Sequence, residues 1–333
     1  MTHPTTEIAQ IMRKLRNRHV QTERDQELQA ALHSLFEVGE DGMMTAEPVR
    51  FTAGQETNGI TLIEGAGGGK TTAIFKVLED FAPLAENPAT GASRRVYVKV
   101  EAPATLRSVG ATFLRQLGID HVSDRTKVYD IWNMVRTRLQ IMGISLVWID
   151  EAQDLFRSTT AAETDTVFRM LKGLMQGENP VVLILSGTER LGEMTGIDPQ
   201  VDRRFLKIRP TDLAFGSDNE MVMMLVESYA KLAGLRVNIE ADVINRLIYG
   251  ARYRFGRVIV NLVEAIEVAL LEGSEALTVD HFASAWARRE GCEITHNVFW
   301  QEDFTSIDIG LDAWRQMPSE TPGKKTRGRK KAA

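Results

Sequence analysis

The sequence predicts an α/β fold with a five-stranded parallel sheet, followed by a small all-helical domain. Three observations carry this. Short apolar runs alternate with helix-length amphipathic segments between residues 60 and 208; a glycine-dense loop follows the first run; and beyond about Ser217 the short runs stop. Near-continuous apolar strands separated by helices imply a parallel sheet covered on both faces, because each strand then buries both rows of its side chains.

Taken in order, residues 6–37 read as helical, with Ile8, Ile11, Met12 and Leu15, then Leu28, Leu32, Leu35 and Phe36, at three- and four-residue spacings. Residues 39–59, with Pro48, read as a connector. Ile60 to Ile63, Val96 to Val100, Leu146 to Ile149, Val181 to Leu185 and Phe205 to Ile208 are the five strand candidates. Helical segments follow near 218–234, 240–250, 256–272 and 279–290, and regularity fades after Phe299. The expected organisation is an N-terminal helical region (1–44) available for partner contact, an α/β domain (45–215), a helical lid (216–298) and a C-terminal segment (299–333) ending in a disordered tail.

Composition narrows the class. With 333 residues, 43% hydrophobic and 26% charged, the chain has the make-up of a soluble globular protein of about two domains at ~150 residues each. A single cysteine, Cys292, excludes an intrachain disulfide and suits a reducing cytosol. No apolar run approaches the ~18 residues that span a bilayer, and the N-terminus lacks the apolar core of a leader, so a cytoplasmic protein without membrane contact is expected. The net charge of −5 hides an asymmetry: Lys324, Lys325, Arg327, Arg329, Lys330 and Lys331 crowd the last ten positions. Residues 1–323 therefore carry −11, and a smaller basic cluster (Arg13, Lys14, Arg16, Arg18, Arg24) lies near the other end.

The most informative stretch runs from Ile60 through Gly65, Ala66, Gly67, Gly68, Gly69, Lys70, Thr71 and Thr72. A strand leading into glycines and then GKT at a helix start is the arrangement polyphosphate binding requires. Glycines let successive N–H groups turn inward around the anion, and the helix terminus adds partial positive charge. Lys70 would reach the β- and γ-phosphates of ATP and Thr71 would ligate Mg²⁺. One departure stands out: Glu64 occupies the place of the motif's first glycine, and it must point away from the phosphates. The strand at 146–149 ends in Asp150 and Glu151. Asp150, expected beside the loop's strand, would hold Mg²⁺ through its water shell, and Glu151 would activate the attacking water.

With an additional strand between the two motifs, the order of GGGKT, DEAQDL, a strand ending SGTERL, DPQVDRRF and a helical lid resembles an AAA+ ATPase over roughly residues 45–290. Within that superfamily it looks most like the TniB/TnsC group of transposition regulators, relatives of MuB. The resemblance implies a γ-phosphate sensor at Thr188, or next at Ser186, where a simple strand-to-turn cap explains the same residues. It implies an arginine finger acting in a neighbouring subunit, Arg204 with Arg203 as alternative; a surface ion pair with Asp198 or Asp202 is the plain reading of both. Arg257, among Arg252, Arg254 and Arg257, is the corresponding candidate at the start of a lid helix.

The resemblance further implies a homo-oligomer, as a ring or helical filament, on double-stranded DNA, with largely sequence-independent phosphate contacts. These fall on the stretch containing Lys99, Arg107, Arg115, Arg125, Thr126 and Lys127, where ordinary solvated side chains are the simpler reading. A transposase and a target-selection protein are the implied partners. Alternatives are an ATPase serving replication, in the manner of a helicase loader, or secretion, and a nucleotide-dependent scaffold without turnover. The six histidines show no ligand spacing, so nucleotide-bound Mg²⁺ is the metal expected. Trp132 and Trp148 read as core, and Met221, Met223 and Met224 as lid packing.

Overall fold

The computed structural model describes residues 4–87, 90–157 and 160–310; the basic cluster at 324–331 lies outside them. The described residues form two compact units, one of residues 16–213 with 254–257, the other of residues 4–15, 214–253 and 258–310. Helix α1 (Pro4–Arg16) falls in the second of these through Leu15.

The first unit contains α2 (Glu23–Leu35), the hairpin β1 (Phe36–Val38) and β2 (Met44–Pro48), β3 (Gly59–Ile63), α3 (Lys70–Asp80) and β4 (Arg95–Lys99). It continues with α4 (Leu106–Gln116), α5 (Val128–Met142), β5 (Leu146–Asp150), α6 (Ala161–Leu174), β6 (Val182–Gly187), α7 (Glu189–Thr195), α8 (Pro199–Asp202) and β7 (Phe205–Ile208). The five long-range strands form one parallel sheet in the order β4-β5-β6-β3-β7. All five predicted strands are present within two residues at each end. The strand of Asp150 is not beside the loop's strand as expected, because β6 is inserted between them.

Alternation along the strands sends successive side chains to opposite faces. Val147, Ile149, Leu183 and Leu185 enter a core covered by α4, α5 and α6. Leu146, Trp148, Val182, Ile184, Ile60 and Leu62 enter the other, covered by α2 and α3. Leu28, Leu32 and Leu35 of α2 are buried in that second core, so residues 23–35 are part of the α/β unit rather than of a separate N-terminal region. The 39–59 connector likewise contains β2, which pairs antiparallel with β1. Registers Ile63 with Gly187, Ile149 with Leu185 and Lys99 with Asp150 bring the carboxyl ends of the strands level, which is where open parallel sheets place their ligands.

The second unit holds α9 (Asn219–Leu232), β8 (Arg236–Val237), α10 (Asp242–Gly250), α11 (Phe255–Leu271) from Val258 on, β9 (Ala276–Leu277) and α12 (Val279–Glu290), with β8 and β9 paired. Residues 299–310 are irregular yet bound to it. Phe299 stacks on Phe282 at 5.5 Å, and the Tyr249 hydroxyl donates to the carbonyls of Thr305 and Ile307 at 2.9 and 2.8 Å. Trp132 and Trp148 are core residues, at 6% and 1% exposure. Met221 and Met223 are half-buried, but Met224 is 56% exposed and does not pack as expected. Among the described residues no helix is long and apolar enough to cross a membrane.

Candidate active site

The loop between β3 and α3 takes its shape from glycine. Gly67 and Gly69 have φ of 85° and 106°, a region closed to most side chains, and Gly69 sits immediately before the first residue of α3. A Cβ on Gly68 would collide with the carboxyl of Glu64, so the glycine run also makes room for the residue that departs from the motif. Lys70 is buried, and its Nζ donates to the carbonyls of Glu64 at 2.7 Å and Gly65 at 3.3 Å. Burial pushes its pKa down, opposed by the charges of Glu64, Glu151, Asp150 and Glu189.

Glu64 does not face solvent. It is 6% exposed and its Oε2 accepts from Nη1 of Arg24 at 3.0 Å, an equally buried side chain from α2. The same Nη1 donates to the Gly68 carbonyl at 3.0 Å. Burial raises the Glu64 pKa, while the charges of Arg24, Lys70 and Arg254 act against that rise.

Across the site, Asp150 ends β5 at 2% exposure and collects four hydrogen bonds. Oδ1 accepts from Ser186 Oγ at 2.6 Å and from the Glu151 N–H at 3.1 Å; Oδ2 accepts from Thr71 Oγ1 at 3.0 Å and the Tyr97 hydroxyl at 3.4 Å. Ser186 is in turn fixed by the indole N–H of Trp148 at 2.8 Å. The two expected Mg²⁺ ligands, Thr71 at the start of α3 and Asp150 at the end of β5, are thus brought together although β3, which leads to the loop, and β5 are not neighbours. They supply the hard oxygen donors that Mg²⁺ prefers and leave its other positions to water and phosphate. No cluster of three or more ligating side chains occurs among the described residues.

Glu151 turns the chain at φ 54°, a strained region for a non-glycine residue, and its Oε2 accepts from Gln153 Nε2 at 2.6 Å. The carboxamide of Gln153 bridges further: its Oε1 accepts from the Thr188 N–H at 3.2 Å. Thr188 therefore stands at the mouth of β6, half-buried, while Ser186 is wholly buried and committed to Asp150.

Of the two arginine-finger candidates, Arg204 is 3% exposed, and its Nη2 bonds Glu56 Oε1 at 2.6 Å within the same unit. Arg203 also reaches Glu56, at 2.9 Å, but its side chain is 53% exposed. Neither pairs as the plain reading has it, since Asp198 binds Lys172 and Asp202 binds Lys207.

Residues 254–257 lie against the phosphate loop. The Arg257 Nε donates to the Ala66 carbonyl at 3.4 Å, and the Gly256 N–H donates to the Gly68 carbonyl at 3.2 Å. Arg254 pairs with Glu189 and Asp212, whereas Arg252 binds Glu290 in the helical unit. On the stretch implied for DNA, Lys99, Arg115, Arg125 and Lys127 are exposed and Thr126 is half-buried. Arg107 is spent within the fold, donating to the carbonyls of Ser123 and Thr126.

Four contributors escaped the motif reading: Arg24, Tyr97, Gln153 and Arg254. Gln153 lies in DEAQDL, where its position two residues after Glu151 was the available signal. Arg24 and Tyr97 carry none, because they are brought in by α2 and the edge strand β4.

Residues 54–195 match the family described as the AAA domain. The fold is similar to that of the ORC2 protein of Aeropyrum pernix, with TM-score 0.51 and 19% identity, over 73% of this chain and 67% of that one. It is similar to the ORC1 protein of the same organism, solved in complex with DNA, at TM-score 0.52 and 20% identity over 72% and 61%. Cdc6p of Pyrobaculum aerophilum gives 0.50 and 16% over 68% and 59%. The chain thus spans about three fifths of the latter two. No curated protein matches the sequence. Sheet order, loop and family match define an AAA+ P-loop fold with the nucleotide site of an ATPase, together with a helical C-terminal region.

Proposed function

We propose that the protein is an ATP-dependent, DNA-binding regulator of DNA transposition that oligomerises on target duplex DNA and recruits a transposase, with ATP hydrolysis driving disassembly. The observation that carries the catalytic part is the 3.0 Å contact of Thr71 with Asp150, with Glu151 next in the chain. Residues 65–69, Lys70 and Thr72 would cradle the phosphates, Lys70 exchanging two carbonyls for phosphate oxygens. Thr71 and Asp150 would hold Mg²⁺, which neutralises the phosphate oxygens when bound. Glu151 accepts the proton of the attacking water on Oε1, since Gln153 occupies Oε2. Thr188 and Arg257 are assigned to the γ-phosphate and the loop. Arg203, rather than Arg204, is assigned to the neighbouring subunit's site.

DNA binding is supported by the exposed Lys99, Arg115, Arg125 and Lys127, with Arg107 shaping the loop that presents Thr126 and Lys127. Such contacts are sequence-independent and multiply across subunits. The target-selection partner and the role of the basic tail belong to the same reading. The DNA in the ORC1 complex keeps a second one, an ATPase serving replication with the same site and the same nucleic acid.

Electron microscopy with duplex DNA at low salt, comparing ADP with a non-hydrolysable ATP analogue, tests the proposal. ATP-state assemblies that Glu151→Gln stabilises are expected, and finding no ATP-stimulated assembly sinks it. Stimulation of strand transfer by a transposase encoded beside the gene supports transposition; stimulation of helicase loading alone transfers the site to the second reading. Equal, near-zero phosphate release from wild type and Glu151→Gln would leave a scaffold.

A further inference from the structure

Glu64 places a carboxylate where phosphate loops of this kind have a glycine, next to the site of a polyanion. Its charge is met by Arg24, and the two side chains are each 6% exposed. Arg24 also holds the Gly68 carbonyl, which the Gly256 N–H holds from another direction. A trans peptide carries its C=O and N–H on opposite sides, so a fixed Gly68 carbonyl turns the Gly69 N–H away from Arg24. Arg24 Nη1 and Nη2 would both lie 3.5 Å from a Cβ on Gly69, and its Nε has no hydrogen-bond partner despite its burial. This is a charged group held at some cost in one place, at the one loop residue that breaks the motif.

We propose that Arg24 is a positioning residue for nucleotide: it neutralises Glu64 and presets the Gly68–Gly69 peptide, so that an N-terminal helix outside the motif sets the affinity of the loop for phosphate. The proposal rests on reading the loop as the nucleotide site. Burying an ion pair is tolerable and replacing both partners by neutral groups is close to neutral, but removing one partner leaves an uncompensated charge. In Arg24→Met that charge is the Glu64 carboxylate beside the phosphate loop, whereas Asp25, 3.8 Å from the guanidinium, keeps His19 at 2.7 Å. Burial raises the Glu64 pKa, and Arg24 is the first of the charges opposing it, ahead of Lys70 and Arg254, and the one that also hydrogen-bonds the carboxylate.

The test measures equilibrium binding of a fluorescent ATP analogue, steady-state hydrolysis and thermal melting. It compares wild type, Arg24→Met, Glu64→Gln and Arg24→Met/Glu64→Gln, with Lys70→Ala as the non-binding control. Arg24→Met is expected to weaken binding at least about 10-fold and to raise KM in step, with kcat changed less than about 3-fold. The double variant is expected to return within about 3-fold of wild-type affinity, and Glu64→Gln alone to bind at least as tightly as wild type. A folded Arg24→Met with wild-type affinity and only a lower melting temperature overturns the proposal, as does a double variant that binds as poorly as Arg24→Met. If Arg24→Met does not fold, the double variant and Glu64→Gln decide: weak binding by either overturns it, and tight binding by both supports it. A wild-type protein that binds no more nucleotide than Lys70→Ala refutes the nucleotide site itself, a result separate from failure of the Arg24 role.

Discussion

Glu64 and Asp150 are both buried carboxylates on the two sides of one site, and they are held by different means. Glu64 answers a single guanidinium, and the loop around it is ordered by charges: Arg24, Lys70 and Arg254 on one side, carbonyls and carboxylates on the other. Asp150 meets only neutral donors, two hydroxyls and a backbone N–H within 3.1 Å and the Tyr97 hydroxyl at 3.4 Å, with Trp148 fixing one hydroxyl from behind. A carboxylate hydrogen-bonded by neutral groups has no guanidinium paired with it, which suits a cation site. One compensated by a guanidinium has its charge cancelled, which is what an anion site requires of an acid in its wall. The Asp150 side should therefore fail when a hydrogen bond is deleted, and the Glu64 side when charge balance is broken.

The largest effect should come from Asp150→Ala, which removes the group that four donors address. ATP hydrolysis is expected to fall by about 100-fold or more, some 2.7 kcal/mol or more in the barrier, as read by phosphate release at saturating Mg²⁺ and ATP. Retention of more than a tenth of the activity would break the contrast. Ser186→Ala should come next. It leaves the buried Trp148 N–H and one lobe of Oδ1 without their partner, at a cost of about 1–3 kcal/mol in urea unfolding. An equal loss of stability in Thr188→Ala would argue that burial, not the relay, is being measured. At the level of about 1 kcal/mol or less in stability, the half-exposed Arg203 is expected to be dispensable for folding. Arg203→Ala should lower hydrolysis only in the assembled state, whereas Arg204→Met should alter stability because it leaves Glu56 with only the half-exposed Arg203 as cation. Activity loss in Arg204→Met alone would restore Arg204 to the role first expected of it.

These residues also mark how far the sequence could be read. The strands were legible because buried parallel strands are largely apolar on both faces, as in Gly59–Ile63 and Leu146–Asp150, where every residue is buried and only Thr61 and the terminal Asp150 are polar. The contact of Thr71 with Asp150 followed from motif chemistry even though the strand between them was not foreseen. The β1–β2 hairpin was not legible: Phe36–Val38 and Met44–Pro48 are too short and too exposed to show alternation. Motif spacing places Arg203 and Arg204 side by side but cannot say which one turns inward toward Glu56. Arg24 was visible only as one of several basic residues near the N-terminus. Its meaning comes from the packing of Leu28, Leu32 and Leu35 against the sheet, which carries the helix to the loop 40 residues away in the chain.

The smallest effect sharpens the Asp150 side without removing any of its groups. Burial, then the charge of Asp150 and the hydrogen bond to it, push the Tyr97 hydroxyl from 10.0 to about 12. The folded state thus favours the neutral phenol. Its contribution to stability is fully present below the unfolded value near 10 and is lost as pH rises toward about 12, because the unfolded chain ionises first. The stability difference between wild type and Tyr97→Phe should therefore narrow across that window. Tyr249 and Tyr253 are also raised by burial, so the phenolate absorbance of Tyr97 must be taken as the difference between protein with and without Tyr97→Phe. In an Asp150→Asn background the same difference titration should move down toward 10, since two of the named causes are weakened while burial remains. A Tyr97 titration that ignores Asp150→Asn would mean that the phenol answers to burial alone and does not belong to the ring of donors around the carboxylate.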